Sequence, residues 1–326
     1  MTRGKCIQYA IFFVLSVLAP VFLRNNYLRE LLVMCCIFAI LALSLDIITG
    51  YMGQLSFGHA AFFGLGGYAA ALVPLRLGMS CWLGFLVAIV LAAFFGFLIG
   101  YISLKRTRGM YLAIVTYGFG WVLIIIATNW FSLTRGTSGL YNIPWPVIAV
   151  PYLPKIVLYS NISYYYFVLT LLILVMYLIN RLLRTRFGRA LITLRESEDL
   201  ARSVGINPLK YYILAFTLAA ALAGLAGAAY AYHIRIVVPS LLGMHYMFIM
   251  LIMVLVGGMG TIGGPVIGSI IYIWGSELLR FSGAIRFFLL GVIMVMFIIF
   301  MPRGVYPKLE SLGAHLGRLF SRKTRL

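Results

Sequence analysis

Residues 82–102 read WLGFLVAIVLAAFFGFLIGYI, twenty-one positions without a single charge. At 1.5 Å per residue a helix of this length reaches about 30 Å, the thickness of the hydrocarbon core of a bilayer. A helix that is apolar all round must be wrapped in protein or in lipid. Working outward, the run ends at Lys105 and Arg106, and comparable runs recur at 7–23, 31–50, 110–131, 162–183, 211–232 and 285–301. Repeated spans of this kind predict an all-α integral membrane protein, a polytopic helical bundle.

Composition agrees. The 326 residues are 63% hydrophobic and 10% charged, whereas a soluble domain runs at about 45–50% apolar and about 25% charged. Two further regions are harder to read. Residues 54–73 are long enough to cross but carry Gln54, Ser56, His59 and four glycines, which predicts a span with an internal seam. Residues 246–280 are interrupted by GGMGTIGGP at 257–265. The parts on either side, 246–256 and 265–280, reach only about 17 and 24 Å as helices. Either flanking residues extend them into two crossings or they form a re-entrant pair, so eight to ten transmembrane helices are expected.

A net charge of +19, from 26 Lys and Arg against 7 Asp and Glu, would suit nucleic acid if it lay on a soluble domain. Its placement points to topology instead. The N-terminal residues with Arg3 and Lys5, the turn at 105–108, the loop 181–210 and everything from Arg303 onward hold 18 of the 26 basic residues. Basic residues favour the cytoplasmic side, so both termini are expected inside. The expected domains are a transmembrane unit, 1–302, and a basic cytoplasmic tail, 303–326. Within the first, 132–161 is an extracytoplasmic loop rich in Pro and Gly, and 184–210 is a cytoplasmic loop with three of the seven acidic residues. The first apolar run lacks a small-residue cleavage site and is expected to remain as a span. In the tail, Leu309, Leu312, Leu316 and Leu319 beside Arg318, Arg322, Lys323 and Arg325 suit the anionic inner lipid surface. No patch of basic residues interleaved with aromatics remains for nucleic acid.

Chemistry is scarce. Cys6, Cys35, Cys36 and Cys81 lack CxxC spacing and are expected as packed or lipid-facing thiols. The sequence has no HExxH, GxSxG or acid pair suited to a metal, and no GxxxxGK[ST] phosphate loop. The chain is therefore not expected to be an enzyme, to bind a metal or to hydrolyse ATP; any ATP and Mg would be used by a partner subunit. A proton-coupled transporter needs a carboxylate or His relay near the bilayer centre, where only His59 qualifies. Asp46 lies near the inner end of its helix, and Glu277 and Arg280, three apart on another, would meet near the outer end. Small residues recur every fourth position at Gly84, Ala88, Ala92, Gly96 and Gly100, and again at Ala215, Ala219, Ala223, Gly227 and Ala231. Such ladders are the mark of tight helix packing in lipid. The glycine cluster at 257–264 reads as a tight turn or as helix ends that receive a carboxylate.

The loop GRALITLRESE (188–198), followed by Ala201 and Gly205 and then by the helix ending AGLAGAAYAY (223–232), resembles the branched-chain amino-acid ABC transporter permeases, the M-type in particular. GYMGQLSFGHAAFFGLGGYAAAL (50–72), RTRGMYLAIVTYGFG (106–120), LTRGTSGL (133–140), VGGMGTIGGPVIGS (256–269) and MPRG (301–304) extend the resemblance over most of the chain. It implies an importer-type permease of a bacterial inner membrane. The implied partners are a second homologous permease, two ATP-binding subunits and an extracytoplasmic solute-binding protein. The implied cargo is a branched-chain amino acid, while relatives carrying urea or short amides and a nucleotide-independent channel or secondary transporter are the alternatives. The resemblance places ATPase coupling on Arg189, Arg195, Glu196, Glu198, Ala201 and Gly205, with Gly205 ending the docking helix. It places the translocation pathway at Gln54, Ser56 and His59 together with Gly257, Gly258 and Gly260. Where the family shows a run of alanines this chain has Asp199 and Leu200 before Ala201.

Overall fold

In the computed structural model Asn25 caps the helix Asn26–Asp46 by accepting from the Tyr27 amide at 3.0 Å, which satisfies one of the donors every helix start leaves free. The structure describes residues 17–20, 23, 25–107, 109–148, 156–157, 159–280, 285–301 and 304–308. The expected first span, 7–23, and the basic tail beyond Lys308 thus lie largely outside the described residues.

Helix α1, Asn26–Asp46, continues into a π-helical turn, Ile47–Tyr51. After it come α2, His59–Leu77; α3, Cys81–Arg106; α4, Met110–Asn129; and α5, Asn161–Leu183. Two short helices follow, α6, Arg186–Glu196, and α7, Glu198–Ser203. The long α8, Pro208–Ile234, starts on an Asn207 cap with proline in its first turn. The set closes with α9, Met244–Gly257; α10, Gly263–Leu278; and α11, Ile285–Phe300. Six of these, α1 with its π turn, α2, α3, α4, α5 and α8, are long and apolar enough to cross a membrane.

Strands are minimal. β1, Leu140–Tyr141, lies in the α4–α5 connection with β2, Val147–Ile148, and β3, Ile156–Val157, while β4, Ile236–Val237, follows α8. β1 pairs antiparallel with β4 and β2 with β3.

The small-residue ladders form the core. All five members of each are buried in α3 and α8, while Leu86, Val90, Phe94 and Phe97 face outward from α3. A Cβ on Gly224 would lie 2.5 Å from the Ala92 Cβ, and one on Gly66 would run into the Gly224 backbone, so α8 is clasped between α3 and α2. In lipid this close approach replaces the hydrophobic drive of soluble bundles. The Tyr232 hydroxyl fastens the seam, donating towards the Ala70 and Cys81 carbonyls at 2.8 and 3.0 Å.

Contacts along α1 resolve the interrupted region. At one end of α1 the Gly260 amide donates to Asp46 at 2.9 Å; midway Ser269 donates to the Cys35 carbonyl at 3.2 Å; at the far end Arg280 donates to the Tyr27 hydroxyl at 2.6 Å. Helix α10 therefore runs the length of α1 and does not turn back halfway. Helix α9 starts deep in the bundle, where Tyr246 stacks on Phe38 with ring planes 3° apart. The irregular segment before it enters the interior, since a Cβ on Gly64 would lie 3.0 Å from the Leu242 amide. This segment forms a single 3-10 turn, Pro239–Leu242, and such departures from the α-helix are tolerated at this depth because protein surrounds them.

The expected span 54–73 is corrected. The helix runs from His59 to Leu77, and Gln54 and Ser56 lie in a non-helical stretch before it. Partners on α4 stabilise that stretch, with the Phe57 amide donating to the Thr116 hydroxyl at 3.1 Å and a Cβ on Gly58 meeting the Thr116 carbonyl.

Candidate functional site

The α6–α7 loop is built to show one face and hide the other. Gly188, Ala190, Leu191 and Leu194 of α6 are buried, and Gly188 leaves no room for a side chain against Leu183 of α5. Ser197 caps α7 by accepting from the Leu200 amide at 3.3 Å, and Ala201 is wholly buried. Gly205, at φ +82°, donates to the Arg202 carbonyl at 3.0 Å and ends the helical segment, as a left-handed cap does. Outward point Ile192, Glu196, Asp199, Leu200 at 68% exposure and Val204 at 72%.

The charged residues of the loop divide. Arg189 donates to the Arg184 carbonyl at 3.1 Å and so braces the α5–α6 corner. Glu198 accepts from Arg202 at 2.6 Å and from the Tyr212 hydroxyl at 3.4 Å. The hydrogen bond and charge of Glu198 raise the Arg202 guanidinium above its ordinary range, but the pair is solvent-exposed and contributes little to stability.

Arg195 is exposed as well, but its side chain also reaches back to the bundle. Its Nη1 donates to the Gly50 carbonyl in the π turn of α1. Its side chain passes between Gly53 and Gly260, where an added Cβ would lie 2.9 Å from Cγ and from Nη1 respectively. Both glycines have φ +71°, a region L side chains rarely adopt, so the Arg195 slot depends on glycine twice over.

The glycines of the turn between α9 and α10 are closely packed, while Met259 at its tip is exposed. Gly257 abuts Gly264, Gly258 abuts Gly304 of the MPRG stretch, and the Tyr306 ring covers Gly263. Gly260 donates its amide to Asp46. Of the remaining expected pathway residues, Gln54 accepts from the Gly109 amide at 2.7 Å and so caps the start of α4. Ser56 is buried without a hydrogen-bond partner. His59 is fully buried, 2.8 Å from the Ser44 hydroxyl.

The structure thus brings Arg195 from the coupling set onto Gly260 from the pathway set, with Gly50 between them. Arg189, Glu196, Glu198, Ala201 and Gly205 do not share that contact, and neither do Ser56 and His59. Sequence reasoning missed the roles of Asp46 and Gly50. A buried acid in an otherwise uncharged run was the available signal for Asp46.

A family model described as "Branched-chain amino acid transport system / permease component" matches residues 27–301. The chain belongs to this family. The high-affinity branched-chain amino acid transport system permease protein LivM of Escherichia coli K12 is 33% identical over 316 residues, covering 90% of this chain and 73% of that protein. LivM of Salmonella typhimurium is 32% identical, covering 85% and 69%. LivH of Escherichia coli K12, described by its name as a permease protein of the same system, is 26% identical over 72% of this chain and 79% of its own length. No solved structure gives a significant match. A branched-chain amino acid transport permease with six helices able to cross a bilayer is a multi-pass membrane protein.

Proposed function

We propose that this permease is the membrane-spanning subunit of an ATP-driven importer of branched-chain amino acids in a bacterial inner membrane. It assembles with a second homologous permease, two ATP-binding subunits and an extracytoplasmic solute-binding protein, and it performs no covalent chemistry itself. The observation that carries the reading is the Arg195 contact, which links a loop with an exposed apolar face to two breaks in the membrane helices. A loop of that kind suits a push from outside the bilayer. Lys105, Arg106, Arg181, Arg184, Arg186 and Lys210 cluster at the same end of the bundle, which supports a cytoplasmic orientation for it.

Leu200 and Val204, four residues apart, dock on the ATPase, with Glu196 and Asp199 at the rim. When the ATPase pair closes on nucleotide, the loop moves and Arg195 carries the displacement into the π turn and the α9–α10 hairpin, two packed arrangements that change as units. The passage itself runs beside the irregular segment at 236–243. Backbone that departs from the α-helix inside a bundle supplies polar atoms to a zwitterion with an aliphatic tail, and Gln54 and His59 are already engaged elsewhere.

Reconstitution tests the reading. Proteoliposomes holding both permeases and the ATPases should accumulate radiolabelled leucine only with the binding protein and ATP. Equal flux through vesicles holding this chain alone would overturn the proposal in favour of a channel or secondary transporter.

A further inference from the structure

Asp46 ends α1 wholly buried. Oδ1 accepts from the Gly260 amide at 2.9 Å, the Thr261 amide is a second backbone donor beside the carboxylate, and Oδ2 is buried without a well-formed hydrogen bond of its own. A Cβ on Gly50 would lie 2.7 Å from the Asp46 Cγ, so the carboxylate rests against the backbone of the π turn. The carbonyl of that same Gly50 holds Arg195, whose Nη1 stands 2.9 Å from the Cβ position of Gly260. Acid and guanidinium are thus separated by two glycine backbones. A buried carboxylate is costly unless donors or a cation stand near it; here the Gly260 and Thr261 amides supply donors, and the Arg195 charge, itself partly in contact with solvent, faces it across the two glycine backbones.

The three groups also join three parts of the chain. Asp46 belongs to α1, Gly260 to the α9–α10 turn and Arg195 to the loop helix α6.

We propose that Asp46 is a positioning residue for transport: steadied by the Arg195 charge, its carboxylate ties the glycine turn to α1, so that loop motion reaches the α9–α10 hairpin through it. This rests on the coupling role of the loop proposed above.

The test uses the reconstituted transporter with all its subunits. Asp46→Asn keeps an oxygen for the Gly260 amide, removes the charge and puts an NH2 in place of the second oxygen. Uptake per ATP hydrolysed is expected to fall about tenfold or more in Asp46→Asn and in Arg195→Gln, with the double variant no lower than the weaker single, because the two act as one unit. Near-normal uptake in Asp46→Asn, or losses that multiply in the double variant, would overturn the proposal. Should Asp46→Asn fail to assemble, hydrogen exchange of the Arg195 variants decides. Arg195→Gln is expected to speed exchange of the amides at 257–264 relative to those of α8, and Arg195→Lys, which keeps the charge, to restore protection. Unchanged protection in Arg195→Gln would overturn it. Absence of ATP-dependent uptake in the unmodified transporter would instead remove the coupling reading, while the exchange experiment would still report whether Arg195 steadies the turn.

Discussion

Arg195, in the last turn of α6, donates to the carbonyl of Gly50, 145 residues earlier in the chain. Gly50 lies in the last turn of the helix that α1 forms with its π turn, where carbonyls lack intrahelical partners, and a guanidinium fills this one. Charge-assisted hydrogen bonds of this kind contribute about 1.5–3 kcal/mol. Arg195→Glu replaces the donor with an acceptor facing the same carbonyl. Leucine uptake by the reconstituted transporter is expected to drop at least about tenfold while the subunits still co-purify. Uptake within a factor of two of the unmodified transporter would count against the coupling role.

The outward face of the loop makes a separate prediction. Leu200 and Val204 are more than two-thirds exposed, and covering each against a partner would be worth about 1.5–3 kcal/mol. The double change Leu200→Asp with Val204→Asp is expected to abolish co-purification of the ATPase. Thermal stability of the isolated permease should shift by no more than about 0.5 kcal/mol, as for other surface substitutions. Retained ATPase binding would move the docking surface elsewhere on the chain.

Much of this fold was legible because lipid imposes simple rules. An uncharged run such as 82–102 has no stable form except a span, and small residues four apart have little reason to recur unless another backbone approaches them. The α3 and α8 ladders accordingly face inward. What could not be read was which partner a polar residue chooses. Gln54 suited a pathway, yet the free amide of Gly109 at the start of α4 claims its side chain, and that proximity exists only once α2 and α4 have packed. Arg195 suited a docking surface, and while it stays exposed its side chain also reaches the slot between Gly53 and Gly260, which no pattern in the sequence announces. Glycine spacing alone cannot reveal a slot made from two segments some two hundred residues apart.

That distinction is measurable at Gln54. As a cap it should matter for stability, since an unpaired amide costs about 1 kcal/mol or more once shielded from water. Gln54→Ala is expected to lower the melting temperature of the purified permease and leave the KM for leucine uptake unchanged. A KM shift without loss of stability would return Gln54 to the translocation pathway.

Glycines of the core and of the surface should differ sharply under the same substitution. A Cβ on Gly66 would strike the Cα and carbonyl of Gly224, both backbone atoms that side-chain rotation cannot relieve, whereas a Cβ on Gly118 of α4 would meet nothing within 4 Å. Overpacking of this kind costs about 1–3 kcal/mol, and here the cost falls on the α2–α8 crossing that clasps the bundle. Gly66→Ala is therefore expected to lower thermal stability in detergent clearly, and Gly118→Ala to leave it unchanged or slightly raise it, because alanine is the better helix former by about 1 kcal/mol. Equal stability of the two variants would mean that α2 and α8 do not cross at these glycines.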